Sequence, residues 1–334
     1  MSEKLKGSST ALVIVNLGTP SAPEKKEVRQ FLREFLSDRR VIEYSPILWR
    51  PLLEGIILRV RPKKVAHAYQ TIWTDAGSPL LTGTLAQVEG LATHFQGRAH
   101  VTYGMCYGDQ QLQDVLEQLT VAGYQQIAIL PAYPQYSAST VGAVYDQVAR
   151  WTRRKRNLPS LRLLRSFPTA TAYIESLAVA LESHWETAGR PNFAGGDRVV
   201  ASYHSIPQAM HDAGDPYWEE CEAGAKALAE RLNIPEGGLL VTYQSVFGPA
   251  KWIGPTTIDT VAELGEAGTE RLDVICPGFM ADCLETLEEI AVLNRETYEA
   301  AGGKNFHYVP WANGEAACIN ALAVEAEELL AGWV

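Results

Sequence analysis

Four carboxylates crowd into the segment ADCLETLEEI: Asp282, Glu285, Glu288 and Glu289. If the segment is an α-helix, Asp282, Glu285 and Glu289, spaced three and then four apart, share one face. Such a face can pass protons along its length or guide a hard or borderline cation. Acidic residues in a first helical turn are also favoured by the helix dipole. That accounts well for Asp282 and less well for Glu285 and Glu289, which lie deeper. His204, in SYHSIP, follows an apolar run directly. Its imidazole can act as a base near neutral pH or ligate a metal; the ordinary alternative is a ring that satisfies backbone groups at a strand end. A histidine with a carboxylate face supplies the nitrogen and oxygen donors that Fe(II) accepts. Tyr133 and Tyr136 in PAYPQYS, with Trp252 in GPAKWIGP, can wall a flat apolar pocket, although such aromatics more often serve packing. No GxxxxGK[ST] or GxGxxG occurs, so no phosphate-cradling loop is expected.

These residues must be held by regular elements, and the sequence supplies strand and helix patterns in alternation. ALVIVNLGTP is a β-branched strand ending in a Gly-Thr-Pro turn. EKKEVRQFLREFLSD places Val28, Phe31, Leu32, Phe35 and Leu36 at helical spacing. AHVTYGMCYG and QQIAILP read as strands, and LQDVLEQLTVAGY as the helix between them. WTRRKRNLPS, near 151–160, is a basic surface segment and a candidate boundary. Beyond it LRLLRSFP, DRVVASYHSIP, LLVTYQSVFG and RLDVICPG read as further strands. Fully apolar strands alternating with helices indicate a parallel sheet covered on both faces. The halves echo one another, ALVIVNLGTP with RVVASYHSIP and VAGYQQIAILPAYPQYSAS with EAGTERLDVICPGFMADCLE. The expected fold is therefore α/β, two Rossmann-like doubly wound domains with parallel sheets that face each other. The expected boundaries are 1–155, with a distinct segment at 45–65, then 156–305, then 306–334 as a C-terminal helix packing back on the first domain. Ligands of such sheets bind beyond the carboxyl ends of the strands. That places Leu17–Pro20, Pro131–Ser139, His204–Pro207 and Pro277–Glu289 around a cleft.

Composition narrows the function classes. The 334 residues carry 29 basic and 39 acidic side chains, a net charge of −10, which argues against a nucleic-acid partner. Hydrophobic residues at 46% and charged residues at 20% exclude a disordered chain. No apolar run approaches the ~20 residues of a transmembrane helix, and the N-terminal apolar core, Ala11 to Val15, is too short for a secretory signal. Five scattered cysteines (106, 221, 276, 283 and 318) include no Cys-x-x-Cys pair, so neither a disulfide framework nor a zinc ribbon is expected, and a reducing cytoplasm is the simplest compartment. Charge is uneven. Arg39–Lys64 holds seven basic and two acidic residues, interleaved with Ile47, Leu48, Trp49, Leu52, Leu53, Ile56, Ile57 and Leu58. This suits a membrane surface or an anionic amphiphile; a buried helix with a solvated basic end is the alternative.

VNLGTP, IW…GSPL, LPAYPQYSAST, SYHSIP with GDPY, YQSVFGPAKWIGP and PGFMADCLETLEEI, in that order, resemble the ferrochelatase family over about residues 10–320. The pattern is similar to the proteobacterial, protoporphyrin-using type. The resemblance implies a lyase of haem biosynthesis that inserts Fe(II) into protoporphyrin IX to form haem b with release of two protons. Fe(II) enters as substrate. The rival readings are a cobalt or nickel chelatase of another tetrapyrrole and a non-catalytic haem-binding protein.

Carried over by position, the resemblance makes His204 and Glu285 the catalytic and metal-ligating pair. They are expected on facing domains, dividing metal handling and proton removal. It makes Asp282, Glu288 and Glu289 a proton or metal path, and Leu17, Tyr107, Tyr133, Tyr136, Ser137 and Trp252 substrate contacts. Segment 45–65 becomes the lip that touches substrate and membrane, which favours peripheral association with the inner face of the membrane. A transient contact with the preceding haem-pathway enzyme is a further implied partner. There are departures: Cys106 and Val246 stand where relatives often carry basic residues, and Cys283 where animal enzymes carry histidine. Cys106 is expected near a porphyrin propionate. The C-terminal LLAGWV adds no cysteine-rich extension, so no iron–sulfur cluster is expected.

Overall fold

The computed structural model of the chain describes residues 9–334, which form eight strands in two sheets of four. The start of the chain, on which the expectation of no secretory signal partly rests, lies outside the described residues. In the first sheet β1 (Thr10–Thr19), β2 (His100–Gly108), β3 (Gln126–Pro131) and β4 (Ser160–Leu163) lie in the order β2-β1-β3-β4. In the second, β5 (Arg198–His204), β6 (Leu239–Gln244), β7 (Arg271–Ile275) and β8 (Asn305–Tyr308) repeat it as β6-β5-β7-β8. Every pairing is parallel. Ala11–Val15, Ile127–Leu130 and Val199–Ala201 are buried, as strands with helices on both faces must be.

The chain separates into two compact units. Of the described residues, one comprises 9–133, 137–165 and 322–334; the other comprises 134–136 and 166–321. LRLLRSFP does not open the second unit. Its strand β4 pairs with β3 in register Gln126↔Ser160 through Ile129↔Leu163, so the basic segment before it is a turn inside the first unit. The local pattern of a strand after a polar turn carries no signal of which sheet the strand will join.

Within the first unit, the helix Lys25–Ser37 buries Val28, Phe31, Leu32 and Leu36, each contributing about 1.5–3 kcal/mol when fully removed from water. Ser78 caps the helix Pro79–His94, its hydroxyl accepting the Leu81 N–H at 3.2 Å, a contribution of about 1 kcal/mol. Gly18, near the end of β1, has φ +109°, and a Cβ there would meet the Tyr107 carbonyl oxygen of β2. Only glycine lets the two strands run this close at their carboxyl ends.

Segment 45–65 folds as a short helix Pro46–Leu52, a wider turn Leu53–Ile57 and the start of the helix Leu58–Ile72. Leu53 and Leu58 are buried, and Trp49 donates its indole N–H to the Leu36 carbonyl at 2.7 Å. Ile47, Leu48 and Val60 are 84%, 76% and 71% exposed, with Leu52 and Ile56 beside them. Arg50, Arg59, Lys63 and Lys64 are exposed as well. Among the described residues no helix is long and apolar enough to cross a membrane.

Candidate active site

The second sheet reverses its direction of winding between β5 and β7, and the chain leaves both strands at that point. β5 ends on His204, whose register partner on β6 is Gln244. The loop after β7 runs into a helix at Glu285–Asn294. Three strand ends thus deliver His204, Gln244–Ser245 and Glu285 to one place in the second unit, the position where open parallel sheets bind ligands.

His204 points one ring nitrogen at its own chain. Nδ1 lies 2.5 Å from the carbonyl oxygen of Ser205. A carbonyl only accepts, so Nδ1 carries a proton and Nε2 is the ring nitrogen left for exchange. Ser205 is itself pinned: its N–H donates to the Gln244 carbonyl at 2.8 Å and its hydroxyl to the Ile253 carbonyl at 2.8 Å. The tautomer that leaves Nε2 available is therefore set by a buried turn.

Gln244 links β6 to the acidic helix. Its Nε2 donates to the Glu285 carbonyl at 2.7 Å, and its Oε1 accepts from the Ser202 hydroxyl at 2.7 Å. Behind it Ser202, Thr257 and Thr242 form a buried hydroxyl chain at 2.8 and 2.9 Å. A buried amide with both ends engaged has one orientation, so the first residue of the acidic helix is fixed to the strand that borders His204.

The acidic segment does not form the α-helix its spacing suggests. Glu285–Asn294 is a ten-residue π-helix. Its i→i+5 bonding widens the turn, so residues four and five apart come into line, and such stretches are rare and concentrated at functional sites. Glu285 and Glu289 share this line. Asp282 lies before the helix. Its Oδ1 accepts from the Tyr308 hydroxyl at 2.6 Å and the Thr286 hydroxyl at 2.8 Å, and its Oδ2 accepts from the Asn313 amide at 2.7 Å. Asp282 is thus the knot that ties the loop to the helix start and to the segment after β8. Glu288 is half-exposed on the same helix.

Glu289 is held by Ser245. The backbone N–H of Ser245 donates to Oε1 at 2.7 Å, and its hydroxyl to Oε2 at 2.5 Å. Burial pushes the Glu289 carboxyl above its usual range, the two Ser245 donors pull it back, Glu285 raises it and His204 lowers it. Those last influences make His204, Glu285 and Glu289 one electrostatic group. The pair expected on facing domains lies within a single unit. Cys283, between Asp282 and Glu285 in the sequence, is buried, and its thiol is pushed well up by burial and then by Glu285, so it stays protonated.

The other expected site residues are dispersed. Trp252 belongs to the second unit and flanks the His204 turn: it bridges to Pro207, and its indole N–H donates to the Phe247 carbonyl at 3.0 Å. Tyr136, also in this unit, donates its backbone N–H to Glu220 at 2.8 Å. In the first unit Leu17 packs against the core at the end of β1, and Tyr133 is half-buried just after β3. Ser137 is buried, and its carbonyl accepts the Gly142 N–H at 3.1 Å at the start of the helix Val141–Thr152. Tyr107 departs from the expectation of a substrate contact: it is a core residue whose hydroxyl donates to Asp38 at 3.1 Å. Cys106 is likewise in the core; burial, then Asp38, pushes its thiol up to about 12. Gln244, Ser245, Tyr308 and Asn313 were not singled out by the motif reading. The strand-end position of Gln244–Ser245 in YQSVFG was the signal that could have marked those two.

Residues 9–329 match the family model "Ferrochelatase". The chain belongs to the ferrochelatase family. It is 44% identical to a ferrochelatase of Dechloromonas aromatica over 329 residues, covering 98% of this chain and 89% of that one. It is also 44% identical to a ferrochelatase of Neisseria meningitidis over 324 residues, covering 97% and 95%. Among solved structures, SirB from Bacillus subtilis with Fe3+ superposes with a TM-score of 0.59 at 13% identity, covering 96% of each chain, a likeness of fold. A ferrochelatase is a lyase that inserts iron into a porphyrin in haem synthesis, and Fe(II) is its substrate.

Proposed function

We propose that this chain inserts Fe(II) into protoporphyrin IX through His204 and Glu285, with Glu289 as the first station of a proton path. The observation that carries this is the His204 ring, fixed by the Ser205 carbonyl with Nε2 free, in the same electrostatic group as Glu285 and Glu289. Metallation releases two pyrrole protons and strips water from Fe(II). A neutral imidazole nitrogen and a carboxylate take those parts: one accepts protons, the other holds the cation as its waters leave. Glu289, held near the point of exchange by burial and by the Ser245 donors, receives protons from the Glu285 side and passes them along the wide helix toward half-exposed Glu288. Asp282 acts as a positioning residue, because its two oxygens already serve Tyr308, Thr286 and Asn313. Tyr136 and Trp252, in the same unit as His204, supply aromatic contacts to the macrocycle. A cleft that bends the ring would expose its nitrogen lone pairs on one face.

We infer that the chain carries no iron–sulfur cluster. Cluster ligation takes four thiolates, commonly with two close in sequence, whereas the nearest pair here is Cys276 and Cys283, which brackets the start of the acidic motif. The exposed Ile47, Leu48, Leu52, Ile56 and Val60, ringed by Arg50, Arg59, Lys63 and Lys64, support peripheral contact with an anionic membrane from the cytoplasmic side. The same face would receive an apolar porphyrin handed over by the preceding haem-pathway enzyme.

Anaerobic titration of the protein with free-base protoporphyrin IX and Fe(II), followed by visible absorbance, tests the proposal. Many equivalents of free base should turn into haem per protein. Haem binding at one equivalent without turnover, or turnover with cobalt or nickel only, would reject it.

A further inference from the structure

A second group of metal-ligating side chains lies in the same unit, away from the site just described. His184 comes from the helix Thr171–Ala188, Asp273 from the middle of β7 and His307 from β8, where it is the register partner of Asp273. One ligand atom from each falls within 4.8 Å of the others. Val199 on β5 is the other register partner of Asp273, and His204 lies five residues further along that strand. At about 3.3 Å per residue the two groups are roughly 16 Å apart along the sheet. No part of the metallation chemistry reaches this group.

We propose that His184, Asp273 and His307 bind one divalent cation of the borderline class, such as Zn²⁺, Co²⁺ or Ni²⁺. Two imidazoles and a carboxylate on one side of a cation, with the remaining positions open, is a recurring donor set for such metals. The spacing suits it. His307 Nδ1 is 2.9 Å and His184 Nε2 3.5 Å from Asp273 Oδ1. Ligands about 2.0–2.2 Å from a shared ion are separated by about 2.9 Å at right angles and about 3.4 Å at tetrahedral angles.

His184 Nε2 is a buried atom with no well-formed hydrogen bond; its nearest acceptor is that oxygen, 3.5 Å away. Such an atom ordinarily costs stability, and a cation between it and Asp273 removes the cost. The imidazoles, 21% and 33% exposed, leave a way in, while Asp273 is fully buried.

The surroundings orient the carboxylate. Arg271 Nε donates to Oδ1 and Nη2 to Oδ2, both at 2.9 Å, and Trp185 Nε1 donates to Oδ2 at 2.8 Å. Arg271 is anchored in turn by the Ala188 and Gly189 carbonyls at the end of the helix that carries His184. The guanidinium cancels the one negative charge, so hard cations that need several anionic oxygens gain little, and affinity rests on imidazole nitrogen. That sets the class of metal. On binding, His307 exchanges the proton it donates from Nδ1 for one on its outer ring nitrogen, and Nδ1 turns its lone pair to the ion.

The test uses the full chain carrying H204A and E285Q, which removes donors of the metallation centre. After chelator treatment it is titrated with Zn²⁺ alone by calorimetry and with Co²⁺ alone by visible absorption. One equivalent of each should bind, with ligand-field bands for Co²⁺, and Mg²⁺ in excess should not displace it. Adding His184→Ala or His307→Ala, each checked for native circular dichroism, should weaken that equivalent by at least about tenfold. Absence of binding in the double variant, displacement by Mg²⁺, or an equivalent unchanged by both histidine substitutions would overturn the proposal.

Discussion

Ser245 holds both oxygens of Glu289, its backbone N–H on one and its hydroxyl on the other, at 2.7 and 2.5 Å. Ser245 does this from a left-handed backbone conformation, φ +65°, which a serine adopts only when its surroundings impose it. Both donors favour the charged carboxylate against burial. Ser245→Ala removes one, so the Glu289 pKa should rise further and the acid limb of the kcat profile should move to higher pH. Turnover should fall on the acid side of the profile and recover as the pH rises. An unshifted limb in a pH–rate series would place Glu289 outside the proton path.

His204→Ala and Glu285→Gln should each lower kcat by about 10²–10⁴-fold, the range for losing a positioned acid–base or ligand group. Thermal unfolding should stay near wild type. A rate near wild type at saturating Fe(II) in either variant would remove that residue from the mechanism.

Ile47→Ser with Leu48→Ser changes two side chains that are 84% and 76% exposed, so the fold should be indifferent. Each lost apolar contact is worth about 1–2 kcal/mol in an interface. Sedimentation with anionic liposomes should show at least about tenfold weaker binding, with the apparent KM for porphyrin raised when it is delivered from vesicles. Equal partitioning would mean the face meets something other than lipid.

Cys106 sits in the first unit's core with Val15, Val28, Leu112 and Leu116. Cys106→Arg adds volume and a charge there, and should cost about 2–4 kcal/mol of stability without tightening porphyrin binding. A denaturant melt and a porphyrin fluorescence titration report the two quantities separately. Tighter binding at unchanged stability would put the position back among the propionate contacts.

Glu325, on the helix Ala316–Leu330, is raised from 4.5 to about 7 by burial and then by Glu328. A raised carboxyl binds its proton more tightly in the fold than in the unfolded chain. Its contribution is therefore full below about pH 4.5 and is lost as pH rises through about 7. Glu325→Gln should match wild type at pH 5 and melt a few degrees higher at pH 8, about 1–2 kcal/mol. Equal melting curves at both pH values would show that the side chain is solvated.

Much of this architecture was legible in the residue pattern. The β-branched runs around Val13, Ile129 and Val200 became strands, and the echo between the halves became one strand order used twice. What escaped depends on contacts distant in sequence. No periodicity announces that Gln244 will donate to a carbonyl 41 residues away, or that this will help start a helix wider than 3.6 residues per turn. The 3.6-residue spacing that groups Asp282 with Glu285 and Glu289 therefore does not describe this segment, where the helix begins only at Glu285. Ser160–Leu163 reads the same whether it closes one sheet or opens the next. Cys106 was assigned by motif position, whereas its burial follows from neighbours in other strands and helices.

The doubled strand order has a consequence for how freely the chain can vary. The strand that ends on His204 has its counterpart in the one that passes Leu17, so the same place in the scaffold holds a titratable ring in one half and a hydrocarbon in the other. Many side chains of similar bulk can replace a hydrocarbon, whereas only an imidazole offers a ring nitrogen that can both ligate a cation and exchange a proton. A saturation library across both strand ends would therefore come out lopsided. The Leu17 position would accept a range of apolar residues, and its twin would accept almost none.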